Sequence, residues 1–340
     1  MKNHIVYYII LFIFSLLPAS CGKILTEDVQ PRGEEVELVP TLEDVGTKVS
    51  VGSWNTDGYG YGAYHPMSWS NSDRITVVSS QQPTVDCIYT YSTSDKSWSA
   101  GTALQWGPGT GAHDFFGTYP QTDISLDSID DSVNPATAQV SASLPGIQEL
   151  TSSYGINFSQ YCKMTAARHV DVPGGRVLIP FSMFCSVVRV SFLNKTRVWL
   201  GYPDSYYKHI RLLDFRVEAD SHTKTNCALT GDYTGTVQDG AYPVFLDPDA
   251  DGDISLGNSS YSVTIKNPAV NLPDCYDSTD PWKGAYKTMF VLPQDYSQFR
   301  VYFTVEVDGV ARPEECAYFY PYNSGNPCCL YLLDVQFKSW

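Results

Sequence analysis

The sequence predicts an all-β protein built as two tandem β-sandwiches. Three observations carry this. Aromatic residues make up 14% of the chain, with 24 tyrosines beside 25 glycines and 21 prolines, a composition of strands punctuated by turns. Short runs alternating apolar and polar side chains recur about every ten residues with turn residues between them, the spacing of a sandwich. Apolar residues at the period of a helix are almost absent. At 340 residues the chain is long for a single core, which predicts two domains. Val172-Pro-Gly-Gly175 punctuates the chain and sets the expected units at 34–172 and 173–340.

The segment before the first sandwich has its own logic. Lys2 precedes an apolar run, Ile5–Leu17, that is shorter than the about 20 residues a membrane-spanning helix needs. A positive residue in front and small residues behind make it a secretory signal, residues 1–20. Leu17-Pro-Ala-Ser-Cys21 resembles a bacterial lipoprotein box in the relaxed form seen in the Bacteroidetes, and predicts cleavage before Cys21 and a diacylglycerol on its thiol. The alternative is an ordinary signal cut near Ala19 or Ser20. Residues 21–33, polar and carrying Pro31, read as a tether.

The strands then follow in order. Glu35–Val39 and Thr47–Val51 each alternate, so each buries one face. Met67–Val78, Cys87–Tyr91, Lys96–Trp98, Leu104–Trp106 and His113–Pro120 are short strands, and Gln121–Ala138 is an Asp/Ser-rich loop before the strand Val140–Leu144. Val177–Leu193 is the most apolar stretch after the leader and predicts burial on both faces, with Pro180 marking a bend or an edge. Later strands are His209–Val217, Tyr242–Leu246, Tyr261–Ile265 and Lys287–Leu292. Phe299–Val307 turns at Asp308-Gly309 into Val310–Ala317, a hairpin signal, and Leu330–Trp340 closes the chain.

Charge and motif exclude several function classes. The net charge is −15 with no basic patch, which argues against nucleic acid as a partner. There is no Cys-x-x-Cys and no His-x-x-x-His, so no zinc site is predicted. Eight cysteines besides Cys21 leave the disulfide pairing open; Cys185, in an apolar strand, predicts a buried free thiol. His113-Asp114 has no nucleophile in a recognisable context, the other histidines are scattered, and no enzyme is predicted.

Two segments point to ligands. Asp247-Pro-Asp249-Ala-Asp251-Gly-Asp253 has the alternating oxygen donors and the glycine of a calcium loop, although position 12 is Asn258 rather than the bidentate Glu. An acidic hairpin tip with no cofactor is the competing reading. Between Ser53 and Pro66, Trp54, Tyr59, Tyr61 and Tyr64 stand among glycines and could stack on sugar rings, or fold back on the sheet.

Several segments in order resemble the fimbrillin-like lipoproteins of the Bacteroidetes. These are the lipoprotein box, Trp69-Ser-Asn-Ser-Asp73-Arg-Ile-Thr-Val, Phe115-Phe-Gly-Thr-Tyr-Pro120 after Trp106-Gly-Pro, Val177–Leu193, and Met289-Phe-Val-Leu-Pro-Gln294. Two departures stand out: the glycine before Asp73 is missing, and Ser182 stands near a position where the family often has His. The resemblance implies transthyretin-like sandwiches and a pilus component (shaft, anchor or tip) in the outer membrane or fimbrium. Its partners would be other subunits joined by strand exchange, the membrane through its lipid, and host or dietary glycans or proteins. It further implies proteolytic removal of an early strand, so that a neighbour's strand completes the sheet. Lys48 follows the first strand and matches the usual cleavage position, though an Arg-specific protease cuts after arginine; Arg32 precedes that strand, and cutting there would free almost nothing.

Overall fold

The computed structural model describes residues 34–42, 68–107, 111–149, 158–201, 204–246, 255, 257–266, 269–272, 285–321 and 330–337. Among them the protein is all-β, with one helical turn, α1 (Phe158–Tyr161). The first strands are β1 (Glu37–Leu42), β2 (Arg74–Ser79), β3 (Gln82–Ser92), β4 (Ser97–Ala100), β5 (His113–Tyr119), β6 (Ile124–Asp130), β7 (Thr137–Leu144) and β8 (Ile147–Glu149). The middle of the chain forms β9 (Met164–Val170), β10 (Arg176–Met183), β11 (Ser186–Asn194), β12 (Arg197–Gly201), β13 (Asp204–Tyr207), β14 (Ile210–Ser221), β15 (Thr230–Gln238), β16 (Val244–Phe245) and β17 (Gly257–Ser260). The last are β18 (Ser262–Lys266), β19 (Val270–Asn271), β20 (Ala285–Val291), β21 (Tyr296–Val307), β22 (Val310–Ala311), β23 (Glu315–Phe319) and β24 (Leu330–Phe337).

One sandwich packs the sheet β1-β10-β9-β5-β2-β3-β4 against β16-β15-β7-β6, to which β17 adds. Side chains from both sheets, among them Val77, Phe116, Phe181, Val140 and Tyr233, share one buried cluster. β7 shows the rule that builds it: across Thr137–Leu144 buried and half-buried side chains alternate, and Ala138, Val140, Ala142 and Leu144 face inward. β5 lies between β9 and β2, and all of its side chains are buried.

The other sandwich packs β22-β21-β14-β18-β8, with β19 and β23, against the three strands β20-β11-β24. Its core holds Val188, Val190 and Phe192 of β11 with Phe215, Val301 and Phe303 opposite. β12 and β13 form a separate two-stranded hairpin. The Asp308-Gly309 turn is present, both residues left-handed (φ 49° and 82°), as a hairpin of that kind requires. The strand expected at 310–317 is interrupted: β22 and β23 pair separately with β21.

Other expectations are corrected as well. The segment expected as a loop from Gln121 contains β6, whose alternation breaks where the register shifts between Leu126 and Ser128, so that Ile124, Leu126 and Ile129 all reach the core. Val177–Leu193, expected as one strand, divides at Phe184 and Cys185 into β10 and β11, one for each sandwich. Pro180 is opposite Thr41 of β1, one residue before β10 pairs with β9 at Phe181, so the missing N–H falls where that ladder begins. β11 itself is buried along its whole length, as its composition predicts.

The expected division at 172/173 does not separate the two cores. β10, β15, β16 and β17 lie beyond it yet belong to the first sandwich, and β8 lies before it yet pairs with β18 in the second. Composition and turns mark where strands end, whereas sheet membership is decided by non-local pairing.

Candidate functional site

β1 is the terminal strand of its sheet and pairs in parallel with β10, from Glu37 opposite Arg176 to Leu42 opposite Phe181. Buried positions alternate through it and the residue before it: Val36, then Leu38 and Pro40 of the strand, point inward, while Glu37 is exposed. Full burial of a Val or Leu side chain contributes about 1.5–3 kcal/mol, so these side chains hold the strand as much as its ladder does. The exposed Arg176–Glu37 ion pair, at 3.4 Å, adds little.

The residues just before β1 are clamped from a second direction. The Val36 N–H donates to the Leu104 carbonyl at 2.8 Å, and the Trp106 N–H donates to the Glu34 carbonyl at 2.9 Å. Leu104 is fixed in turn, its N–H donating to the Tyr89 hydroxyl at 3.0 Å, and burial pushes that phenol up to about 12. Trp106 packs edge-on against His113 and Phe115. The sequence marks Leu104–Trp106 as a strand but offers no sign that its partner is Glu35.

His113 and Asp114 do not act together. His113 Nε2 accepts from the Gly107 N–H at 3.1 Å, which leaves Nδ1 to donate to the Gly111 carbonyl at 2.9 Å. Burial lowers its pKa, and the ring serves as a neutral brace for the loop. Asp114 instead binds His169 Nδ1 at 2.8 Å, and Asp171 binds Nε2 at 3.1 Å. Burial works against the imidazolium here, but the hydrogen bonds to the two carboxylates outweigh it and raise the His169 pKa.

The residues singled out in the sequence, namely Cys21, Arg32, Lys48, Trp54, Tyr59, Tyr61, Tyr64, Asp247, Asp249, Asp251 and Asp253, lie outside the described residues. β1 falls between Arg32 and Lys48 in the chain. Among the described residues no group of three or more His, Cys, Asp or Glu side chains is placed to hold a metal.

No family model matches the chain, and no curated protein does. Solved structures that it is similar to include a candidate cell adhesion protein of Bacteroides ovatus, 10% identical with a TM-score of 0.46, over 91% of this chain and 94% of that one. A candidate cell adhesion protein of Bacteroides uniformis is 12% identical, with a TM-score of 0.37 over 79% and 88%. A fimbrial protein of Bacteroides ovatus is 12% identical, with a TM-score of 0.38 over 90% of this chain and 51% of that one.

Proposed function

We propose that this chain is a non-catalytic subunit of a fimbrillin-like adhesive assembly at the cell surface, anchored to the outer membrane through Cys21, and that β1 is its exchangeable strand. One observation supports this most directly: β1 is terminal in its sheet, joined there through a parallel ladder to β10, with inward-facing side chains at Leu38 and Pro40 and at Val36 just before it. A strand so placed can leave by giving up this ladder and the Glu34–Val36 clamp to Leu104 and Trp106, while the other strands of the sheet keep their pairing. Its departure uncovers the backbone edge of β10 and an apolar slot, and an incoming strand with matching alternation restores both. Cleavage after Lys48 would release β1 together with the segment before it, Cys21 included, so the uncut chain is the membrane-anchored form and the cut chain is held only by its neighbours.

The test has two arms. Intact-mass and N-terminal analysis of the protein from its native membrane reads acylation at Cys21 and any cut at Arg32 or Lys48. In the second arm, protein cleaved at Lys48 is incubated with a labelled peptide of the sequence 34–42. Exchange of bound strand for label is the expected result, and a cleaved protein that neither releases β1 nor takes up the peptide rejects the proposal. The alternative reading, a glycan-binding lipoprotein, is separated by a glycan array run with Trp54, Tyr59, Tyr61 and Tyr64 intact and then replaced by Ala.

A further inference from the structure

Cys162 and Cys185 stand just beyond the paired ends of β9 and β10. Within the ladder Phe181 is opposite Ala166, Ser182 opposite Thr165 and Met183 opposite Met164. The next rung is made by the Phe184 N–H, which donates to the Lys163 carbonyl at 2.8 Å. Continued by one more residue, the same register sets Cys185 directly opposite Cys162. In an antiparallel pair, hydrogen-bonded and non-hydrogen-bonded positions alternate. Since Phe184 and Lys163 form a bonded position, Cys162 and Cys185 would be the non-bonded one that follows if the alternation carries one step past the ladder, where the chain begins to bend toward β11. There opposed Cα atoms approach to about 4.5 Å, inside the range of about 4.4–6.8 Å that a disulfide spans.

The side chains agree with this placement. Both cysteines are buried in the core of the first sandwich, and both are unbonded thiols here. Cys162 Sγ lies 3.5 Å from Met183 Sδ, and Cys185 Sγ lies 3.7 Å from the Lys163 carbonyl, so each thiol leans toward the opposite strand. A hydrogen bond with the Cys185 thiol, together with burial, holds the Cys162 thiol well above its ordinary pKa.

We propose that Cys162 and Cys185 form a cross-strand disulfide that locks β10 to β9, on the side of β10 opposite β1. The bond forms by exchange with an organic disulfide, either a small molecule or the active-site disulfide of an oxidoreductase. One cysteine thiolate attacks that disulfide, giving a mixed disulfide and releasing the first thiol. The second cysteine thiolate then displaces the other half. Both cysteine protons leave, the protein gains one S–S bond, and the reagent is reduced to two thiols. Thiols kept protonated in a dry core exchange slowly, so the bond is made while the strands are pairing and not after the core has closed. The inference does not depend on the strand-exchange reading. Its consequence is that β10 keeps its alignment whether or not β1 covers its other edge.

The test uses the full chain, unfolded and reduced in guanidinium, then refolded by dilution with oxidised and reduced glutathione. Free thiols are alkylated, and peptides are mapped without reduction. A linked peptide pair joining Cys162 to Cys185 as the dominant product is the expected result, together with an upward Tm shift over protein refolded in reductant. A Cys185→Ala chain should lose that shift. Recovery of Cys162 and Cys185 as alkylated thiols, or linked to other cysteines, overturns the proposal. The peptide map is made on the unaltered chain, so it decides the matter even if the variant fails to fold.

Discussion

The side chain of Gln148 closes a ring with the backbone of Phe290: its amide N–H donates to the Phe290 carbonyl at 2.7 Å, and its Oε1 accepts the Phe290 N–H at 2.9 Å. Gln148 is 1% exposed. It sits in β8, which pairs in parallel with β18, while Phe290 belongs to β20 at the edge of the facing sheet. The carboxamide therefore acts as one residue's worth of strand, and it ties the two sheets of the second sandwich at a corner supplied by an earlier part of the chain. Gln148→Leu keeps the volume and removes both bonds, at a cost of order 1–3 kcal/mol. Gln148→Glu keeps the acceptor but not the donor and should not restore stability. Urea unfolding midpoints of the three proteins check the ranking.

That corner also shows what a linear reading can and cannot find. Strands with one dry face announce themselves: β7 alternates along its length, and Asp308-Gly309 marks the turn between β21 and β22. β15, with the sequence TGDYTGTVQ, does not look like a buried strand, yet most of it is. Gly235 is small because the Phe184 and Phe245 rings stand about where its side chain would be, each 3.0 Å from a Cβ placed there. The apolar surface covering that strand comes from elsewhere in the chain. Gln148 was invisible for the same reason, since a glutamine in a three-residue strand looks like surface until its partner is known. For the candidate site, β1 was legible as a strand from its alternation, but its position at the end of a sheet, parallel to β10, was not. The lipidation, cleavage, stacking and calcium-loop residues rest on motif alone.

His169 gives the first sandwich a pH dependence of definite sign. Its side chain is 12% exposed, held between Asp114 and Asp171, and its backbone N–H donates to Asp239 at 3.0 Å. The folded pKa is raised above the unfolded value near 6.5. A raised pKa means that folding takes up protons. This contribution is complete below the unfolded value and is lost as the pH rises from there through the folded one. Tm should therefore fall across that window in the native protein, and the fall should be smaller in His169→Gln. Parallel Tm-against-pH profiles for the two proteins would dismiss the assignment.

Lys163 is 1% exposed, and its ammonium donates to the Gln160 carbonyl at 3.0 Å with Asp123 3.7 Å away. Burial lowers its pKa. Asp123 is 60% exposed, so solvent screens the pair, and Asp123→Asn should cost only about 1 kcal/mol. Lys163→Met exchanges a buried charge for an apolar chain of similar length and should be neutral or stabilising. Chemical unfolding at neutral pH distinguishes this from an indispensable ion pair, for which both variants would lose stability.

Gly117 lies in β5 under the ring of Phe181. A Cβ at that position would stand 2.5 Å from Phe181 Cζ, closer than real atoms approach, and the ring is fully buried. Gly117→Ala should cost about 1–3 kcal/mol through overpacking. Adding Phe181→Leu should recover part of that loss, although Phe181→Leu alone is destabilising. A double-mutant cycle measured by denaturant unfolding reads the coupling, and additive effects would mean that the clash is relieved some other way.

The attachment of β1 can be tested without any partner. Leu38 is buried at the inner face of the strand, opposite Val177 of β10. Leu38→Asp puts a charge into that apolar slot and should detach β1 while the rest of the sheet stays paired, because β10 keeps its ladder to β9 from Phe181 to Met183. Hydrogen exchange should then speed up in 37–42 and along 176–180, with protection retained at 164–166 and throughout the second sandwich. Were the whole first sandwich to lose protection together, β1 would be integral to its core, and a subunit that gives up this strand could not remain folded long enough to accept another.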